Sequence, residues 1–411
     1  MNQLKRLKQI TLEDGIFFVL LVFALGSSIS GHLGKNSEIV AIALCAIRLL
    51  RGNIPMERVR VVKHLLLVFG LFYGTMAFSA LRTGNFALAI KGHPVMSWAF
   101  EALLILCVAL FVRQKRQVWI LWAALFLSLL VVDFRLLYEV ARGAVRPSGF
   151  LKNVLADNII YAVLVPPLAA LSVDMELGKR ERNICRGMFA LGLAGAYVTG
   201  TRGIWISILL TLPLMFAFRG GWKQSLRCMS VCVLCVFALV LLAPSHIRDR
   251  LSPARLGQDA SVLARLAMLE SATQIFLEHP VLGVGMGKFN EYWKEQCPPN
   301  RPSWKGFVNP HNSCLTYLSE GGLVGFAGYI TMIGYLLWWA WRRRGTRHGI
   351  LLFGAVFSAF LKGMTESEFC AHQGVRVFWL IIGLAFAAEA IALEEGKTGD
   401  MRDKNPVDRR A

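Results

Sequence analysis

The chain has 411 residues, 55% hydrophobic and only 17% charged, with a formal net charge of +19 and a mean hydropathy of +0.51. A soluble domain is nearer a quarter charged, so this balance excludes an ordinary water-soluble globule and predicts an all-α polytopic integral membrane protein. It gives no support to nucleic-acid binding either: much of the positive excess sits in short loops such as Arg342-Arg343-Arg344, where retention of basic residues on the cytoplasmic side explains it.

A span takes about 20 apolar residues, and on that measure about twelve transmembrane helices are predicted. They fall at 16–29, 39–50, 65–81, 95–112, 118–137, 159–173, 187–199, 203–218, 228–243, 322–341, 350–361 and 375–393. The first has no small-residue cleavage site and more spans follow it, so no cleavable signal peptide is expected. Placing the N-terminus inside puts most of the 45 Lys and Arg on the cytoplasmic side. Both termini are therefore expected to be cytoplasmic. The predicted organisation is nine spans over 1–243, one large external loop over 244–312, three further spans over 313–394 and a cytoplasmic tail over 395–411. Within the loop, 260–278 carries Val262, Leu263, Leu266, Leu269, Ile275 and Phe276 at roughly helical spacing, which predicts an amphipathic helix against the bundle. His279-Pro280 and the glycines beyond end it. Gly283, Gly285 and Gly287 fit neither the dinucleotide nor the P-loop spacing and are read as a tight turn.

On this topology the polar residues in apolar surroundings gather at the outer face. Arg146 precedes the sixth span, Arg202 lies in the turn Thr199-Gly200-Thr201-Arg202-Gly203, Arg265 is on the loop helix, and His311 ends the loop. Glu101 and Asp133 sit in the outer halves of spans, where they are expected to hold arginines or His311 in place. Asn309 and Pro310 fit the cap and first position of a helix, whose positive end disfavours an imidazolium and suits His311 to accept a proton. Arg202 before a helix start suits a phosphate, although a snorkelling arginine is an equal reading of that residue alone. No metal-binding spacing is evident. Glu366-Ser367-Glu368 reads as a helix-end polar cluster rather than a Mg²⁺ site, and Cys228, Cys232 and Cys235 as small hydrophobes in a span. A disulfide among Cys297, Cys314 and Cys370 stays open.

His311-Asn312, nine residues, then Gly322-Leu323-Val324-Gly325 resembles the signature of the O-antigen ligase and polymerase superfamily. Thr201–Trp205 resembles that family's external arginine turn. Arg265 with the following Gly-rich stretch is similar to the segment bearing its second arginine, and Arg146-Pro147-Ser148-Gly149 to an earlier basic element. Ala156-Asp157-Asn158 departs from the family's His-Pro-Asn. The resemblance implies a GT-C-like glycosyltransferase of the bacterial inner membrane with its active site on the periplasmic side. Its implied donor is a glycan on undecaprenyl pyrophosphate, its acceptor the lipid A–core of lipopolysaccharide, and its reaction inverting, with no metal or cofactor. His311 would be the base, Arg202, Arg265 and Arg146 the pyrophosphate ligands, and Asn312, Gly322, Gly325, Glu101 and Asp133 the supporting residues. A polymerase joining lipid-linked repeat units is the alternative within the family. A lipid or sugar transporter lacks support in a repeat or paired broken helices, and an envelope scaffold would leave the charged residues idle.

Overall fold

The computed structural model describes residues 11–52, 56–82, 94–144, 147–150, 154–220, 260–300, 302–306, 309–367 and 375–403, with a few positions between 223 and 230. Among them the secondary structure is entirely helical. The helices are α1 (Leu12–Gly26), α2 (Gly31–Leu50), α3 (Met56–Arg82), α4 (Pro94–Phe111), α5 (Lys115–Ala141), α6 (Val154–Ser172), α7 (Lys179–Val198), α8 (Arg202–Gly220), α9 (Ala260–Glu278), α10 (Phe289–Gln296), α11 (Ser313–Arg342), α12 (Arg347–Gly363) and α13 (Val375–Asp403), with a short 3₁₀ turn at Pro302–Gly306.

Helices that are apolar all round have no solvent-facing side and belong inside a bundle. Two behave so. On α6, Ile159 to Val165 and Leu168 are fully buried, and α13 is buried from Val377 to Ala388. α13 packs on α3, α4, α5, α6 and α12, while α6 packs on α7, α8 and α12. α3 and α5 present exposed large apolar residues outward, Leu67 and Leu71 on one and Leu127 and Phe134 on the other. Such faces suit a lipid solvent, and the chain is a membrane protein.

Four described helices are long and apolar enough to cross a bilayer: α3, α5, α11 and the Val375–Gly396 part of α13. Ile159–Ser172 and Arg202–Phe218 are shorter apolar helices. The expected count of about twelve is not reached on this measure. The reasons are physical: α1 has only 15 residues, α12 only 17, and α7 begins on the charged run Lys179-Arg180-Glu181-Arg182. Most of the predicted ninth span lies outside the described residues.

Buried polar contacts fix several helix ends. Arg58 of α3, 1% exposed, donates through Nε and Nη2 to Glu394 at 2.7 Å each, and through Nη1 to the Val112 carbonyl at 2.7 Å. It thereby joins the ends of three helices, α3, α4 and α13, and takes up a carbonyl that the last turn of α4 leaves open.

α11 is not one helix. At Gly322 the backbone turns to φ 61°, ψ −161°, breaking the helical hydrogen bonds. The segment after α9 runs into the break and replaces them. Val284 N–H donates to the Ser319 carbonyl at 3.0 Å and Gly285 N–H to Glu320 at 2.8 Å; on the other side Leu323 N–H donates to Pro280 at 2.8 Å and Val324 N–H to Val281 at 3.2 Å. A broken helix is tolerated in a membrane only where its backbone groups are satisfied in this way. A side chain on Gly322 would run into the Val281 carbonyl, and one on Gly283 into the Glu320 backbone. Glycine is required at both.

α9 follows the predicted limits, and Ile275 of the expected face is buried, but the rest of its core contacts come from other residues. Ala264, Met268, Ala272 and Ile275 form a small core with Val284, Phe289, Trp293 and Cys297. Leu266 and Leu277, 57% and 70% exposed, point away. The small Ala264 and Ala272 side chains let the Gly-rich segment approach closely, which leucines there would prevent.

Candidate active site

His311 stands immediately before α11, but not as Asn309 and Pro310 suggested. The helix begins at Ser313, with Asn312 as the cap: its Oδ1 accepts from Leu315 N–H at 3.0 Å. Asn309 instead accepts the His311 N–H at 3.0 Å, holding His311 in the left-handed region at φ 51°. It is the one non-glycine among the described residues with positive φ. An imidazole there is strained, and the neighbouring bonds keep it so. The sequence expectation failed because the local Asx turn outcompeted early helix initiation.

The turn after α12 supplies the partners. His311 Nδ1 shares a hydrogen bond with Glu366 Oε1, and the other carboxylate oxygen lies 3.4 Å from Arg265 Nη2. Glu366 is 1% exposed. Burial pushes its carboxyl up, yet the His311 hydrogen bond and the Lys362, His311 and Arg265 charges together hold it below its ordinary 4.5. Lys362, also fully buried, is a second cation beside it. The turn is tied to the start of α11 by three more bonds: Asn312 N–H donates to Ser367 Oγ at 3.2 Å, Asn312 Nδ2 to the Met364 carbonyl at 3.0 Å, and Ser313 Oγ to the Glu366 carbonyl at 3.1 Å. His311 and Glu366 are thus positioned from both sides.

Arg202 is the first residue of α8. Its neighbour Gly203 packs so closely on the α12 turn that a side chain there would meet Thr365, with Lys362 Cδ at 3.4 Å. The start of α8 therefore lies at the level of Glu366. Arg265, Lys362 and His311 surround the Glu366 carboxylate, and Arg202 adjoins the glycine that packs on the same turn.

Other expected site residues lie elsewhere. Asp133 of α5 is buried and accepts from Tyr161 Oη at 2.7 Å, with Gly195 of α7 against it; its partner is a phenol, rather than an arginine or His311. Glu101 falls on α4, and its side chain, like Arg146, lies outside the described residues. Gly322 makes the break in α11, and Gly325 lets Met76 of α3 approach. Cys297 and Cys314 are thiols; Cys370 lies outside the described residues. Sequence reasoning left out Glu366 as the partner of His311, and missed Lys362 and Glu320 altogether. The available signal was an ionisable residue in or beside an apolar run, which all three satisfy.

With Nδ1 engaged by a carboxylate, a neutral His311 donates that N–H and presents Nε2 as the proton acceptor; the imidazolium that follows is stabilised by the same carboxylate. Flanking guanidinium groups suit phosphate oxygens. The arrangement is a histidine oriented by a buried carboxylate, beside cationic side chains.

Comparison with known proteins adds a family to this geometry. Residues 187–330 match the family model described as O-antigen ligase, a segment that includes Arg202, Arg265, His311, Asn312, Gly322 and Gly325. No curated protein matches the chain.

Proposed function

From the match of residues 187–330 to the O-antigen ligase family model, we propose that this protein is the ligase that transfers a glycan from undecaprenyl pyrophosphate to the lipid A–core of lipopolysaccharide. The reaction occurs at the periplasmic face of the bacterial inner membrane, with both termini cytoplasmic. The observation that carries the reading is Glu366 holding His311 and Arg265 together at one end of the bundle, beside the start of α8. In this mechanism His311 Nε2 removes the proton of the acceptor hydroxyl as its oxygen attacks the anomeric carbon. The bond to the carrier's pyrophosphate oxygen breaks with inversion, and the leaving diphosphate keeps the electron pair. Arg202 and Arg265 bind that diphosphate and stabilise the charge it gains, the kind of preorganised electrostatic stabilisation that dominates many group transfers. Arg146 is a third candidate ligand. The step draws its driving force from the pyrophosphate ester and uses no nucleotide.

A deletion strain examined on a lipopolysaccharide gel tests the assignment. Loss of the whole O-antigen ladder with the core band intact is the expected result, restored by the wild-type chain but not by His311→Ala. A core carrying a single repeat would assign the chain to polymerisation instead. A normal ladder would overturn both.

A further inference from the structure

The helix break explains why the loop can dock, but not why a carboxylate is buried there. Glu320, two residues before Gly322, is 3% exposed. Its backbone carbonyl accepts from Gly285 N–H and, from α3, Ser79 Oγ at 3.0 Å. Its side chain does something separate: Oε2 accepts from Gly287 N–H at 2.9 Å and Oε1 from Phe289 N–H at 3.1 Å. Phe289 opens α10, so the carboxylate caps that helix from another element. Arg82, at the end of α3, holds the same segment from the other side by donating to the Gly283 carbonyl.

Packing alone would be served by an apolar residue, without the cost of burying a charge. Two carboxylate oxygens matched to two particular amides specify something packing cannot: the register of the Gly-rich segment in the break. That register reaches the active site. Val284, and Phe289 whose own amide is clamped, share one small core with Ala264 and Met268 of α9, and Arg265 adjoins Ala264. A slip of the segment would turn or shift α9 and move Arg265 away from Glu366.

We propose that Glu320 is a positioning residue: docked on the amides of Gly287 and Phe289, it locks the loop to the broken helix and thereby sets Arg265 against the Glu366–His311 pair. Gly322 is its counterpart in the backbone, the break that admits the loop. For its effect on turnover the proposal rests on the transferase reading; its effect on the loop does not.

The test uses the full-length protein in lipid nanodiscs, comparing wild type, Glu320→Gln and Arg82→Gln. Amide exchange over 283–289 is followed by mass spectrometry, and transfer from an undecaprenyl-pyrophosphate glycan to lipid A–core is followed as a function of donor concentration. Exchange should accelerate by about tenfold or more in Glu320→Gln, because the amide NH₂ cannot accept and one of the two clamped N–H groups loses its partner. KM for the donor should rise, and Glu320→Gln should cost little further in an Arg265→Ala background, since both changes act through the same guanidinium. A merely destabilised protein behaves differently: it loses active molecules at constant KM, and its loss adds fully to that of Arg265→Ala. That pattern, or unaltered exchange in both variants, overturns the proposal. Should Glu320→Gln fail to fold, Arg82→Gln loosens the same segment from α3 and carries the same expectations. If wild type transfers no glycan while exchange still responds, the transferase reading falls and the Glu320 lock stands.

Discussion

His311 and Glu366 are 55 residues apart in the chain, yet imidazole Nδ1 and carboxylate Oε1 share a hydrogen bond at a position where the carboxylate is 1% exposed. The pair fixes which ring nitrogen of a neutral imidazole carries the proton, and the carboxylate's second oxygen faces Arg265. Removing the proposed base by His311→Ala is expected to lower transfer on the order of 10²–10⁴-fold, the usual contribution of general acid–base catalysis. Glu366→Gln keeps the shape but favours the wrong tautomer, and a loss of about tenfold or more is expected. Both are read as rates of glycan transfer in proteoliposomes at matched protein levels. Wild-type rates in either variant would remove the pair from the mechanism.

Arg202→Lys is expected to be severely impaired at limiting donor. A lysine keeps the charge but not the planar fork that grips two phosphate oxygens. The check is the donor concentration dependence of transfer. An unchanged profile would make Arg202 a headgroup-facing residue.

The depressed Glu366 carboxyl sets a direction for acid stability. Its folded value lies below the 4.5 expected of an unfolded chain, so the ionised carboxylate stabilises the fold fully above about 4.5, and that contribution is lost as pH falls through the lower, folded value. Thermal unfolding of the purified protein should thus show a decline below about pH 4.5 that Glu366→Gln lacks. Equal slopes in both proteins would contradict the assignment.

Two glycines in the same helix should respond oppositely. Gly322→Ala forces a side chain into the left-handed region and onto the Val281 carbonyl, and should destabilise by about 1–3 kcal/mol or more. Gly334→Ala, with nothing near its Cβ position, should leave the melting temperature unchanged or raise it. Differential scanning fluorimetry of the two variants distinguishes them.

Asn312→Ala removes both the α11 cap and the bond to the Met364 carbonyl. A loss of about 0.5–2 kcal/mol is expected from the cap alone. The accompanying loosening of His311 from Glu366 should reduce transfer by more than stability accounts for, which a comparison of rate and melting temperature would reveal.

Local sequence carries local information, and the success of the sequence reading follows that boundary. The apolar runs announce α5, α11 and α13, and the His311-Asn312 pair with its distant glycines points to the candidate site. What the chain does not print is which face a helix turns inward. Leu266 looks like core by its chemistry, yet Ala264 occupies the core because the neighbouring loop comes too close for leucine. Asp133 was expected to serve the arginines, but its partner Tyr161 is 28 residues on and has no signature. Glu366 was visible as a carboxylate beyond a span; its bond to His311 depends on how α12 ends against α11. The cap at Asn312 rather than Asn309 turned on a competition between two short turns that propensity does not rank.

The guanidinium of Arg58 makes the far end of the molecule intolerant of shortening. Two of its ligands are the oxygens of Glu394, so a chain cut before that residue would leave a buried cation with only the carbonyls at the end of α4 as partners. Purification tags and fusions are therefore best attached beyond Glu394, and a C-terminal deletion series should show its abrupt drop in yield at that position.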